Sequence, residues 1–149
     1  MSEIRMIDVG DKPVTRRRAV ARIRVAIPAA VAARIAEGSL PKGDVMAVAR
    51  VAGIMAAKRT PDIVPLCHPI PLTRVDVTPV LEDGAVVITA SAETTAQTGV
   101  EMEAMTAVMA AGLTVYDMTK GLDPEIVLER AELLEKSGGK SGEWRRRQA

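Results

Sequence analysis

The chain has 149 residues, with 20 Lys and Arg against 19 Asp and Glu. That length suits one domain spanning 1–149, and the near-zero net charge argues against a general polyanion-binding surface. One Trp, one Tyr and no Phe remove the stacking platforms that single-stranded nucleic acid needs, and leave Ala, Val, Ile, Leu and Met to fill the core.

The start, "MSEIRMIDVG", is polar and carries no apolar signal segment, and no apolar run reaches the ~18 residues of a membrane span. A cytoplasmic protein with neither nucleic acid nor membrane as partner is expected. Residues 20–27, "VARIRVAI", alternate apolar and polar and predict a half-buried strand. Pro28 ends it, and "AAVAARIAEG" reads as a short helix closed by Gly38. Residues 42–59 predict a longer helix, with Asp44 as N-cap and Lys58 and Arg59 suiting its C-terminal dipole. The runs 72–81 and 85–92 flank "EDG" and predict a hairpin. Residues 98–121 predict a long helix, with Thr98 and Glu101 as a capping box and Gly121 as its stop. Residues 124–135 fit both a helical stripe and a strand. From about 136 to 149 the chain is glycine-rich and basic and reads as a flexible tail. Strands and helices interleaved around a hairpin point to an α+β sandwich, an antiparallel sheet with helices packed on one face.

Several stretches carry chemistry. "PLCHPIPL" (65–72) sets the only Cys and the only His, Cys67 and His68, among three prolines. One His and one Cys make no metal site with recognisable spacing, and the prolines hold the segment extended, so ligand recognition by His68 is favoured. Asp117 and Lys120, spaced i, i+3, share a helix face and read either as a surface ion pair or as an acid/base pair poised by burial. Glu101 and Glu103 lie in the first turn of their helix, where carboxylates stabilise the dipole or grip a ligand. Lys42 stands before a helix start, where anions are already attracted, and serves as a phosphate ligand or as a plain loop lysine. "GGKS" (138–141) lacks the first glycine of a P-loop, since position 134 is Leu134. Its loop still offers lysines and backbone N–H groups to a phosphate.

Four stretches together, "MIDV", "KGDVMAVARVAGIMAAKRTPDIVPLCHPIPL", "TGVEMEAMTAVMAAGLTVYDMTKG" and "LLEKSGGKSG", closely resemble the cyclic pyranopterin monophosphate synthase family (molybdenum cofactor biosynthesis protein C). The resemblance runs from about Met6 to Gly142. It implies a ferredoxin-like α+β fold and a homohexamer, a trimer of dimers, with active sites at the dimer interfaces. It also implies a lyase that converts (8S)-3′,8-cyclo-7,8-dihydroguanosine 5′-triphosphate to cyclic pyranopterin monophosphate and pyrophosphate. Carried onto this chain, it makes Asp117 and Lys120 catalytic. It assigns Leu66, Cys67, His68, Met102, Glu103 and Glu101 to the substrate pocket. Lys42, Lys136 and an arginine of "TRRRA", with Arg17 the aligned one, are assigned to the phosphates. No cofactor and no metal site is implied beyond Mg2+ accompanying the substrate phosphates. The resemblance favours strand over helix for 124–135. Beside this enzyme stand two other readings, a non-catalytic anion-binding module and a purely structural oligomer.

Overall fold

The alternation at 20–27 is the end of a longer strand. In the computed structural model, which describes residues 2–147, β1 runs over Thr15–Ala26 and takes in the whole arginine run Arg16–Arg18. Its Ala19, Ala21, Ile23 and Val25 are buried, while Arg18, Arg22 and Arg24 alternate with them on the opposite face. After Pro28 comes α1, Ala29–Glu37, ended by Gly38 at φ 67. The helix α2, Val45–Lys58, is capped by Asp44, whose Oδ1 accepts from the Ala47 N–H at 3.1 Å. A single turn, α3 (Thr60–Ile63), leads into the proline-rich segment. The hairpin forms as the turn chemistry predicts: β2 (Leu72–Glu82) and β3 (Ala85–Ala96) are joined by Asp83-Gly84, with Gly84 at φ 74. Then follow α4 (Glu101–Thr119), β4 (Val127–Ser137) and the short β5 (Trp144–Arg145).

The sheet order is β2-β3-β1-β4-β5, antiparallel throughout. Pro79 is tolerated because β2 is an edge strand. The fold is the α+β ferredoxin-like sandwich expected, with α4 lying over β1, β3 and β4 and α2 over β2. The core between these layers is built from small residues. Ala19, Ala21, Ala90, Ala92, Ala104, Ala107 and Ala111 are fully buried beside Ile23, Ile88, Val25 and Val108. Gly53 of α2 sets the helix spacing, since a Cβ there would stand 3.0 Å from the Ala107 carbonyl oxygen and 3.0 Å from Val77. Among the described residues no helix is long and apolar enough to cross a membrane.

Two local expectations change, and one open choice falls to strand, as the resemblance favoured. The Thr98–Glu101 capping box does not form: α4 begins at Glu101 with Val100 as N-cap, which makes no side-chain cap bond. Glu101 instead points its carboxylate back over Gly99, where only a glycine leaves room. Residues 127–137 are a strand, because pairing with β1 satisfies the backbone and sets Glu129, Glu132 and Glu135 against Arg24, Arg22 and Arg18. The segment read as a flexible tail is partly in the sheet, with Lys136 and Ser137 in β4 and Trp144 pairing back onto Lys136.

Candidate active site

The helix α4 carries the candidate residues at its two ends. At the C-terminal end, Asp117 accepts from two ammonium groups. Lys120 Nζ lies 2.7 Å from Oδ1 and Lys42 Nζ lies 2.8 Å from Oδ2. Lys42 also reaches the Asp117 main-chain carbonyl at 3.3 Å. It is presented by the tight turn ahead of α2, where Gly43 adopts φ 101. All three side chains are about half exposed in the single chain. The sequence suggested burial as the poising force, and the geometry replaces it with charge. The hydrogen bonds from Lys120 and then Lys42 pull the Asp117 carboxyl down to about 2, and Asp117 in turn holds the Lys120 ammonium above its ordinary value. The resting state is therefore a carboxylate clasped by two ammonium ions.

At the N-terminal end, Glu103 turns inward. It is 2 % exposed, its Oε2 lies 3.7 Å from Cys67 Sγ, and its Oε1 is buried with no partner. Burial pushes its carboxyl up, opposed by its own backbone N–H and the Cys67 thiol, and Glu101 adds to the rise. Burial also pushes the Cys67 thiol up, to about 11, reinforced by the charge and hydrogen bond of Glu103. Cys67 is therefore a thiol at neutral pH, unsuited to be a nucleophile or metal ligand. Its neighbour His68 has Nε2 2.6 Å from the Ile7 carbonyl oxygen, which ties the N-terminal segment across the proline-rich wall. Leu66 and Met102, next to Cys67 and Glu103 in the chain, are exposed. Lys136 Nζ lies 3.8 Å from Glu101 Oε1. Arg17 donates to the carbonyls of Ala96 at 3.2 Å and Gln97 at 3.3 Å, just ahead of α4. Gly138 and Gly139, both at positive φ, pack so closely on Arg16 and Arg17 that a Cβ at either would collide with them.

Two sets thus form: Asp117, Lys120 and Lys42, and Glu101, Glu103, Cys67, His68, Lys136 and Arg17 with Leu66 and Met102. One chain does not bring them together. Glu101 and Asp117 are sixteen residues apart on α4, about 24 Å along its axis at 1.5 Å per residue. Two contacts escaped the sequence reading, Lys42 on Asp117 and Cys67 on Glu103, since neither pair is near in sequence. Among the described residues no group of three or more His, Cys, Asp or Glu side chains is placed to hold a metal ion.

The MoaC family model matches residues 6–139, which takes in every one of these side chains. The cyclic pyranopterin monophosphate synthase of Thermomicrobium roseum is 55% identical over 146 residues, covering 97% of this chain and 88% of its own. The proteins of the same name from Brevibacillus brevis (52% over 143 residues; 95% and 89%) and Chloroflexus aurantiacus (54% over 144 residues; 95% and 88%) are similar to the same extent. Identity at this level over nearly the full length of both partners, with the two charged sets inside the matched span, means that the chain belongs to the MoaC family.

Proposed function

We propose that this chain is a cyclic pyranopterin monophosphate synthase, a lyase of molybdenum cofactor biosynthesis acting in the cytoplasm. It converts (8S)-3′,8-cyclo-7,8-dihydroguanosine 5′-triphosphate to cyclic pyranopterin monophosphate and releases pyrophosphate. Family membership and the names of the relatives support the reaction. Forming the cyclic phosphate makes a new P–O bond from a substrate hydroxyl to the α-phosphorus and breaks the bond to the β-phosphate oxygen. Cations must neutralise the pyrophosphate as it leaves. In this reading Lys42, Lys136 and Arg17 hold the phosphates. Lys120, kept charged by Asp117, stands as the acid, and Asp117 takes and returns protons once the substrate draws its lysines away. Leu66, Cys67, His68, Met102 and Glu103 form the wall for the ring system, with Glu101 orienting Lys136. No resident cofactor is assigned a role in this reading, and Mg2+ accompanies the substrate phosphates.

The observation that carries the residue roles is the separation of the two sets by the length of α4. A site using both is completed by a second copy whose α4 runs antiparallel, so that one protomer's Glu103 end meets its partner's Lys120 end. The solvent side of the helical layer suits such a contact, with Val48, Val51 and Met55 of α2 and Met109 and Leu113 of α4 exposed. The proposal extends to a homohexamer, a trimer of dimers, checked by light scattering. The decisive experiment mixes two inactive variants, Lys120→Ala and His68→Ala, after co-refolding. Random pairing restores roughly one quarter of wild-type turnover, because half the dimers are mixed and each mixed dimer has one intact site of two. A mixture as dead as its components overturns the shared site, whereas an inactive wild-type protein with authentic substrate overturns the reaction itself.

A further inference from the structure

On the face of the sheet turned away from α4, a cavity of about 640 Å3 opens over β1, β4 and β5. Six arginines line it: Arg22 and Arg24 of β1, Arg130 of β4, and Arg145, Arg146 and Arg147 at and beyond β5. Glu82, Glu132 and Glu135 line it with them, and Glu129 pairs with Arg24. Six arginines against four glutamates leave a surplus of two positive charges in one concavity, in a chain whose overall charge is only +1.

Two bulges in β4 build this cavity. Arg22 pairs with Glu132 and Arg24 with Glu129, so Arg130 and Ala131 together stand opposite Ile23 alone. Val20 pairs with Glu135 and Ala21 with Leu133, which leaves Leu134 unmatched. The two extra residues, Arg130 and Leu134, both line the cavity. Arg130 has φ 52, the one non-glycine residue at positive φ among those described. An arginine accepts that conformation only at a cost that a glycine would not meet, and bulges of this kind re-aim side chains. At the centre, Glu132 is nearly buried and gathers three guanidinium groups: Arg22 at 3.0 Å, Arg130 at 3.2 Å and Arg146 at 3.5 Å. One carboxylate cannot neutralise three. Its effect is to hold planar, fork-shaped donors from β1, β4 and the segment after β5 around a single opening.

We propose that this cavity binds a condensed phosphate, either free pyrophosphate or the phosphate chain of a nucleotide. The cations come from β1, β4, β5 and the segment after it, and surround more space than one phosphate fills, which favours a ligand with two or more phosphoryl groups. The half-enclosed concavity and the balanced charge of the whole chain do not suit a nucleic-acid strand.

The test is calorimetric titration of the full-length protein with sodium pyrophosphate. It is run in the Lys120→Ala background so that binding beside Asp117 is weakened, with the single tryptophan, Trp144, as an optical reporter. The Arg146 guanidinium sits 5.6 Å from the Trp144 ring, so an anion that draws Arg146 changes its fluorescence. Saturable binding is expected, and Arg130→Gly weakens it by about tenfold, the loss typical of one charged hydrogen-bonding group. The melting temperature is not lowered, because glycine relieves the strained backbone. If Arg130→Gly lowers it, Arg146→Gln carries the same test from an exposed position. Orthophosphate should bind far more weakly than pyrophosphate. Guanosine triphosphate binding tighter than pyrophosphate identifies a nucleotide as the source, and equal or weaker binding identifies free pyrophosphate. Three results overturn the site: no saturable binding in the millimolar range, affinity unchanged by both arginine variants, or orthophosphate binding as tightly as pyrophosphate.

Discussion

Lys42 and Asp117, 75 positions apart in the chain, meet as an ion pair with Lys42 Nζ 2.8 Å from Asp117 Oδ2. Lys120 holds the other carboxylate oxygen from one helical turn away at 2.7 Å. Asp117 is thereby held from two sides, and the two ammonium charges together lower its carboxyl to about 2.

The first prediction concerns that clasp. Asp117 titrates near 2 in the folded chain, below its ordinary 3.8, so it stays ionised across the range where the enzyme works. Any acid limb above pH ~4 in kcat/KM, which reports the free enzyme, then belongs to another group. In Lys42→Ala the Asp117 pKa rises toward its ordinary value, while Asp117→Ala and Lys120→Ala each lower turnover by about a thousandfold or more with the fold retained. Carboxyl-carbon NMR titration and product formation from the cyclised substrate read these out. An Asp117 pKa unmoved by Lys42→Ala contradicts the clasp.

Glu103 yields a stability prediction of opposite sign. Its folded pKa is raised above the unfolded value near 4.5, so the folded state holds the proton more tightly. Its favourable contribution is complete below the unfolded pKa and is lost as pH rises through the folded one. Glu103→Gln should therefore stabilise the protein at pH 8 by about 1 kcal/mol, with no gain at pH 4, by removing a buried charge with an unpartnered oxygen. Turnover falls in the same variant. Thermal melts at the two pH values check the sign, and a loss of stability at pH 8 refutes it.

Cys67 should behave as an unreactive thiol. With its pKa at about 11, alkylation by iodoacetamide stays slow at pH 8 and accelerates only as pH approaches that value. Glu103→Gln removes a charge that raises it, so alkylation of that variant is faster at the same pH. A pH–rate curve with a midpoint near 8.5 in the wild type is inconsistent with this environment.

Gly53→Ala tests the helix spacing. Alanine has the better helix propensity by about 1 kcal/mol, yet its Cβ would press on the Ala107 carbonyl and Val77, both at 3.0 Å. Overpacking against a backbone atom outweighs propensity, for a net loss of about 1–2 kcal/mol and a melting temperature lower by roughly 3–6 °C. An unchanged or higher melting temperature indicates that α2 moves away freely.

The elements themselves were legible wherever one local rule acted alone. Alternation located β1, Asp44 announced the start of α2, and "EDG" announced the hairpin, because each depends on residues within a few positions of one another. Competing local rules failed at the start of α4, where a capping box was available but Glu101 turned toward Gly99 and Lys136. Residues 124–135 satisfied both periods, and pairing of 127–137 with β1 decided for strand.

The candidate residues were likewise readable as types, but their grouping was not. The sequence alone determined that Asp117 and Lys120 share a face, that His68 is held among prolines, and that the core is built from alanine and branched aliphatics. The tertiary structure decided that Lys42 completes the Asp117 clasp, that the part-buried Cys67 meets the buried Glu103, and that α4 keeps these two sets at opposite ends. The physical reason is range. Periodicity and capping act over one or two helical turns, whereas charge pairing and desolvation depend on which strands and helices the folded chain brings within a few ångströms.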